Sequence, residues 1–440
     1  MTQLVRTLRR KDLILIVIGG VIGSGIFLVP AGVLRQVDHS VALAGLAWLT
    51  GGVLALLGAF SYAELTTMKP AAGGLYVFIR EGFGPLPAFL YGWSMLLAIS
   101  SGAVAGLAVA FSTYLGAVVP LSPGAGKLVA IAVIAVVTAV NVWGTRKSSD
   151  LQNWTTLIKV LLLLGICAVL LWLGRGYSQI PGALWTQPSP GSLLAKFGLA
   201  MIAVLWAYEG WPFVTYSAGE AVNPQKDFPR ALLASVLFLT ALYLLANLGY
   251  LAALGPERAG HSETIAAESI ATVLGPAAAK LVALTILISV FSGMNSVVLT
   301  APRVFYAMAS DGLFFRRFAE VHARFRTPAF AVVGLGIWSA VLASLGRFQE
   351  LINYAMFVAW IFYGLAAASV FAYRRQQPDA PRPYRVPGYP WTTGIFVAAA
   401  AALVLNVIVS TPGNAAKGLG IVALGLPAYL VWRKRGRPVN

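Results

Sequence analysis

The chain has 440 residues, 58% of them hydrophobic and only 11% charged, with a mean hydropathy of +0.79 and a formal net charge of +17. Soluble domains carry roughly a quarter charged residues, so a soluble globular protein is excluded. The apolar stretches are too long for barrel strands, which run about 10 residues with alternating polarity; a helical membrane bundle remains.

Twelve apolar segments are read at about 13–34, 42–63, 85–117, 128–143, 154–174, 196–219, 230–253, 276–308, 328–345, 351–373, 392–410 and 418–432. A bilayer crossing takes about 20 residues, and 85–117 and 276–308 leave room for tilt. With both termini inside, the inner connections hold 24 of the 32 Lys and Arg, from Arg6, Arg9, Arg10 and Lys11 to Arg433, Lys434, Arg435 and Arg437. This is the positive-inside asymmetry: it places both termini in the cytoplasm and removes any need for a nucleic-acid partner. The basic start and apolar run resemble a signal peptide, but with eleven spans following, the run is read as an uncleaved first helix. The one cysteine, Cys167, lies in the fifth segment, so no intrachain disulfide can form.

The first segment contains GGVIGSGIF at 19–27, with Gly19, Gly20, Gly23, Ser24 and Gly25 inside an apolar run. Each interior glycine costs a helix roughly 1 kcal/mol relative to alanine. Two readings stand: close helix packing through small residues, or a break that frees backbone groups near the bilayer midplane. Freed groups cannot face lipid, so a break must line a cavity or a ligand. The stretch KPAAGGLYVFIREGFGP at 69–85 reads as an inner loop with a short amphipathic piece lying along the membrane. Segment three carries Gly92, Gly102 and Gly106 with Ser100 and Ser101, read as tight packing. Trp143, Arg146 and Lys147 read as interface anchors. Lys159, about 8 Å beyond Trp154 by helix rise, either snorkels to the inner surface or is buried toward a cavity, where it could substitute for a bound cation.

Segment six repeats the anomaly. WAYEGWP at 206–212 puts Glu209 near its centre, beside Gly210 and Pro212. A kink explains the proline but not the glutamate, and an intramembrane carboxylate marks function by default. Interrupted segments one and six are each followed by four continuous ones, so two groups of five face opposite ways. Matched interruptions in an inverted repeat point to a transporter's binding site. GEAVNPQKDFPRA follows at 219–231. In the outer loop at 261–275, Ile265, Ala266, Ser269, Ile270, Val273 and Leu274 give a short helix with one apolar face, folded over a vestibule or lying on the surface. Segment eight sets Ser289, Ser292 and Asn295 on one side, for helix packing or for coupling, and leads into PRVFYAMASDGL at 302–313. The last two segments, with Asn406 as their polar interior residue, read as flanking scaffold.

In chain order, GGVIGSGIF, WAYEGW, GEAVNPQKDFPRA and PRVFYAMASDGL resemble the amino acid–polyamine–organocation (APC) superfamily, and within it bacterial relatives of the L-type amino-acid transporter branch, over about residues 10–435. The resemblance implies an all-α integral membrane protein of LeuT-type fold: a 5+5 inverted repeat with broken helices one and six, and twelve transmembrane helices in total. The expected organisation is a cytoplasmic N-terminus (1–12), a first repeat (13–174), an external loop (175–195), a second repeat (196–373), a cytoplasmic loop (374–391), two scaffold spans (392–432) and a cytoplasmic C-terminus (433–440). It implies that backbone N–H groups of Ser24, Gly25 and Ile26 bind a substrate carboxylate at a helix N-terminus. Carbonyls of Val21, Ile22, Trp206, Ala207 and Glu209 would hold the ammonium, with Gly19, Gly20, Gly23 and Gly210 permitting the breaks. Trp206 would be an aromatic gate. Lys159 would stand at the sodium site of sodium-coupled relatives, with Ser289 and Ser292 as further coupling candidates.

The implied function is sodium-independent secondary transport of L-amino acids, neutral ones first, by alternating access in the cell membrane, as an exchanger or proton-coupled carrier. The alternative is a cationic amino-acid or polyamine permease, or an amino-acid sensor without transport. Mammalian light chains bond to a glycoprotein through a cysteine between helices three and four; 118–127 has none, so no disulfide-linked heavy chain is expected. Glu209 stands where several relatives have glycine. A carboxylate reaching the pocket would favour cationic substrates or a protonation step; one packed against the bundle would go with small or neutral substrates. A channel needs rings of polar residues and an enzyme needs a catalytic constellation. Neither is visible, so no enzymatic activity, cofactor or metal is expected.

Overall fold

The computed structural model describes residues 4–116, 118–186, 193–345 and 348–435. Part of the loop expected at 175–195, and Arg437 of the basic C-terminus, lie outside the described residues. The described chain is helical, with one isolated parallel bridge between Leu8 and Ala221. Lipid offers backbone groups no partner, so helices that satisfy their own N–H and C=O groups are the solution open to such apolar runs.

Among the described residues, ten helices are long and apolar enough to cross a membrane, and the pair Arg10–Val21 and Gly25–Gln36, bent by 48°, makes an eleventh crossing. Ala329–Leu345, with 17 residues, is at the short end of the spanning range of about 17–25 and makes twelve. Span 1 is the bent pair. Spans 2 to 5 are Val41–Met68, Pro85–Gly116, Pro123–Val142 and Thr145–Leu173. Spans 6 to 8 are Ala195–Glu220, Pro224–Leu254 and Pro276–Ser310. Span 9 is Ala329–Leu345, and spans 10 to 12 are Ala355–Gln376, Trp391–Ser410 and Pro412–Lys434. Several helices begin earlier than their apolar runs. Span 4 starts at Pro123 because Ser122 caps it, accepting from the Ala125 N–H at 3.3 Å, while proline at the first helical position loses no bond.

Span 1 packs along spans 5, 7 and 8, and span 2 along span 7, while spans 11 and 12 lie outside against span 10. Span 3 carries a π-helical turn, Met95–Ile99, and Ser101 Oγ donates to the Leu96 carbonyl there. Its glycines differ. A Cβ on Gly92 would meet Met308 Sδ at 2.0 Å, but one on Gly102 would meet nothing within 4 Å, so packing demands only the former.

The inner loop corrects one expectation. Its helix, Leu75–Phe83, turns its apolar residues to protein and not to lipid: Leu75, Tyr76, Val77, Phe78 and Ile79 are all buried, while Phe83 at its end is exposed. It packs against span 10. Tyr76 Oη (2.8 Å) and Arg80 both donate to Asp311 Oδ2, tying it to the end of PRVFYAMASDGL.

Two other motifs meet at the inner ends of spans 5, 6 and 8. Arg303 donates through Nε to Glu220 Oε2 at 2.6 Å and through Nη2 to Oε1 at 2.9 Å, and Thr145 Oγ1 donates to Oε1 at 2.6 Å. Both charges are buried, so Arg303 is a structural charge and not the surface topology signal it resembles in sequence. Beside them, the N-terminal segment docks onto the chain after span 6. Thr7 and Leu8 N–H donate to the Glu220 carbonyl and Val222 N–H to Leu8, all at 2.9 Å.

Candidate functional site

Span 1 is α-helical to Val21, loses helical geometry at Ile22 and resumes at Gly25. Span 6 is α-helical over Leu193–Ala207, then turns at Gly210 into 3₁₀ geometry over Trp211–Glu220. Gly210 has φ +117, a conformation that favours glycine. Pro212 lies in the first turn of the second half, where its missing N–H leaves no bond unmade. The proline therefore accommodates the break, and Gly210 makes it.

The two breaks touch. A Cβ on Gly210 would stand 2.8 Å from the Gly20 carbonyl oxygen, and one on Gly25 would stand 2.9 Å from Ala207 Cα and 3.5 Å from Trp206 Cζ3. These glycines set how closely the spans cross. Gly19 is tightly packed, since its Cβ would meet Gln152 Nε2 at 2.0 Å and Thr156 Oγ1 at 2.2 Å and those side chains would have to move, and a Cβ on Gly20 would stand 2.8 Å from Ser296 Oγ. Gly23 is different: nothing stands within 4 Å.

Lys159 does not snorkel. Its side chain is fully buried, and Nζ donates to the carbonyls of Gly19 at 2.7 Å, Ile22 at 2.6 Å and Ser289 at 3.5 Å. An ammonium has three donors and no acceptor, and here three carbonyls surround it. The inner half-helix ends at Val21, and a helix C-terminus carries partial negative charge, so a cation is well placed against it. Ser289 Oγ completes the contact, donating to Ile22 at 2.9 Å and Gly23 at 3.1 Å. Ser292 does not reach the break. It accepts from Gln152 Nε2 at 3.2 Å, and Asn295 is likewise bonded to span 5 through Gln152 and span 4 through Asn141.

The carbonyls expected to hold an ammonium are not equally open. Ile22 accepts from Lys159 and lies 2.9 Å from Ser289 Oγ, whose single proton it shares with Gly23, so it is the most engaged of these carbonyls. Trp206 accepts from the Glu209 N–H at 3.1 Å. Tyr243, on span 7, lies 3.1 Å from both the Val21 and Ala207 carbonyls. One hydroxyl proton serves one acceptor well at a time, so Tyr243 links the two breaks and leaves one of the two carbonyls weakly satisfied. Its ring stands edge-on to Trp48 at 5.5 Å. On the opposite side of the crossing, Gly25 and Ile26 open the outer half-helix with Ser24 at its cap, and first-turn N–H groups have no intrahelical acceptor.

The Glu209 side chain turns away from this crossing: its Oε1 accepts from the Tyr363 hydroxyl on span 10. Tyr243 and Tyr363 were missed by sequence reasoning. Each is one phenol in an apolar span, and the available signal was only that a buried phenol needs a partner.

Two helix breaks in backbone contact, inside a bundle that crosses the membrane about twelve times, define a multi-pass membrane protein of the carrier class. Residues 8–429 match the amino acid permease family, and the chain belongs to that family, within the APC superfamily of transporters. It is 30% identical over 423 residues to the Serine/threonine exchanger SteT of Bacillus subtilis (strain 168), covering 96% of this chain and 95% of that one. It is 32% identical over 426 residues to the b(0,+)-type amino acid transporter 1 of Mus musculus, covering 93% and 85%. The Cystine/glutamate transporter of Homo sapiens is 32% identical over 447 residues, covering 98% and 87%.

Proposed function

We propose that the protein is a sodium-independent secondary carrier of neutral L-amino acids, working by alternating access in the cell membrane with both termini cytoplasmic. The observation that carries this reading is the crossing at Gly20, Gly25, Ala207 and Gly210, where the two broken spans come into backbone contact. Such a crossing suits a zwitterion. The first-turn N–H groups of Ser24, Gly25 and Ile26 would take its carboxylate, and the carbonyls of Val21, Trp206, Ala207 and Glu209 its ammonium, with Trp206 over it. The first five spans (13–174) and the next five (196–373) would then rock as two repeats around the glycines.

Lys159 supports sodium independence: a protein cation already holds the carbonyls of Gly19 and Ile22. Glu209 supports neutral substrates over cationic ones or polyamines, because its carboxylate is bonded to Tyr363. Cys167 is buried in span 5, which favours a carrier without a disulfide-linked heavy chain. The amino acid permease family is one of transporters, which supports reading the protein as a carrier and not an enzyme.

The test is counterflow in sodium-free proteoliposomes, loading unlabelled amino acids singly and following labelled alanine, leucine, serine and arginine. Accumulation driven by internal neutral amino acids is the expected result. Folded protein that shows no counterflow with any load would remove the carrier reading and leave a sensor as the alternative.

A further inference from the structure

Among the described side chains, every Asp and Glu but one either has a Lys or Arg within ion-pair distance or is exposed outside the spans. The buried ones show the pattern: Asp12 pairs with Arg146, Glu64 with Arg374 and Glu220 with Arg303. Glu209 is the exception. It lies within span 6, and its hydrogen-bond partner is the hydroxyl of Tyr363.

The titratable neighbours of Glu209 among the described residues are the phenols of Tyr62, Tyr91, Tyr216 and Tyr363, from four spans. Tyr62 on span 2 donates to the Tyr363 carbonyl at 2.9 Å, and Tyr91 on span 3 is 2.6 Å from Tyr216 of span 6, hydroxyl to hydroxyl. All four rings are buried. Lys159, the cation buried in the bundle core, is committed to Gly19 and Ile22. Glu209 is half-buried, and within a span a carboxylate with no cation beside it is costly, whereas a carboxylic acid is neutral and can share hydrogen bonds with a hydroxyl. Glu209 also precedes Gly210, whose backbone makes the break in span 6, so any change of angle there alters what the carboxyl faces.

We propose that Glu209 is a proton-binding site. Its carboxylate takes one proton from water at the face where the sixth break is open, is carried through the closed state as a neutral acid beside Tyr363, and returns the proton to water at the other face. Movement of a neutral amino acid is thereby coupled to movement of one proton. The coupling rests on the carrier reading; proton binding itself does not.

Two measurements separate them. Infrared difference spectra of purified wild type against E209Q read protonation directly. A protonated-carboxyl band at neutral pH that is missing in E209Q is the expected result, and Tyr363→Phe should shift that band by removing its hydrogen-bond donor. In sodium-free proteoliposomes, a tenfold inward proton gradient should drive up to about tenfold accumulation of alanine, the limit for one proton per substrate. A trapped dye should report acidification that requires alanine. In E209Q the ratio of gradient-driven accumulation to counterflow should fall to that seen without a gradient. No carboxyl band in wild type overturns the site, as does selective loss of arginine counterflow in E209Q without any gradient effect, which would make Glu209 an ionised partner of cationic substrates. A band with counterflow but no gradient-driven accumulation overturns the coupling while the carrier reading stands. A band without counterflow removes the carrier reading and, with it, the coupling.

Discussion

The breaks of spans 1 and 6 touch through Gly20 and Gly210, yet they are held by groups of opposite charge type. At span 1 the ammonium of Lys159 reaches across from span 5 to the Gly19 and Ile22 carbonyls, and Ser289 reaches in from span 8. That charge is spent on holding backbone. At span 6 the local charge is Glu209, which braces no backbone and meets a phenol. One break is cross-tied by its charged residue, and the other leaves its charged residue available for chemistry.

The strongest way to break this comparison is to force the two breaks apart. Gly210→Val has to place a side chain at φ +117 with its Cβ against the Gly20 carbonyl. Strain of about 1–3 kcal/mol at such a position, added to the clash, should bring transport to background. Gly25→Val should do the same against Ala207, whereas sequence reasoning would have put Gly23→Val in the same class. With open space at Gly23, its variant should fold normally and affect substrate more than packing. Size-exclusion profiles with counterflow check all three, and wild-type uptake in the Gly210 or Gly25 variant would sink the assignment of the crossing.

Arg303→Met tests a region remote from the breaks. It leaves Glu220 buried without its cation, a change that costs about 3–5 kcal/mol, and should lower Tm markedly; an unchanged Tm would mean the inner ends are held by something else. Lys159→Met removes charge-assisted hydrogen bonds worth about 1.5–3 kcal/mol each. Transport should fall tenfold or more, with a changed pH profile. If the rate and its pH profile stay as in wild type, Lys159 is packing and the contrast between the two breaks disappears.

Tyr243→Phe sharpens the comparison at the point where the breaks are linked. The loss of a neutral hydrogen bond of about 1 kcal/mol should change apparent substrate affinity by roughly five-fold with little change in Tm. The smallest effect belongs to the inner loop. Burial raises the Glu81 carboxyl, but hydrogen bonds from Arg80 and Lys69 outweigh it and hold the group below its ordinary value. Its contribution is therefore present above the ordinary carboxylate range and lost as pH falls through the lower folded value. Glu81→Gln should reduce stability slightly at neutral pH, by under about 1 kcal/mol at this exposure, seen as a small drop in Tm, and not at all in strong acid.

Much of the molecule was legible before any coordinates. Apolar length and low charge are dictated by the bilayer, so the twelve crossings follow from composition and their ends shift only where caps and prolines extend helices, as at Ser122 and Pro123. The two anomalous segments were legible for the same reason: glycines and a glutamate have no place in a plain membrane anchor, and their matched positions marked the crossing.

What sequence by itself determined is therefore local: which stretches cross, which two are interrupted, and which side chains are out of place in lipid. Only the tertiary structure decided where those side chains point. It turned Lys159 inward to the carbonyls of Gly19 and Ile22, and sent Glu209 to Tyr363. It buried Leu75–Ile79 and joined Glu220 to Arg303. The physical reason is that a charge or phenol in a low-dielectric interior must find a partner, and its partner lies on another span, tens to hundreds of residues away, where no local pattern records it.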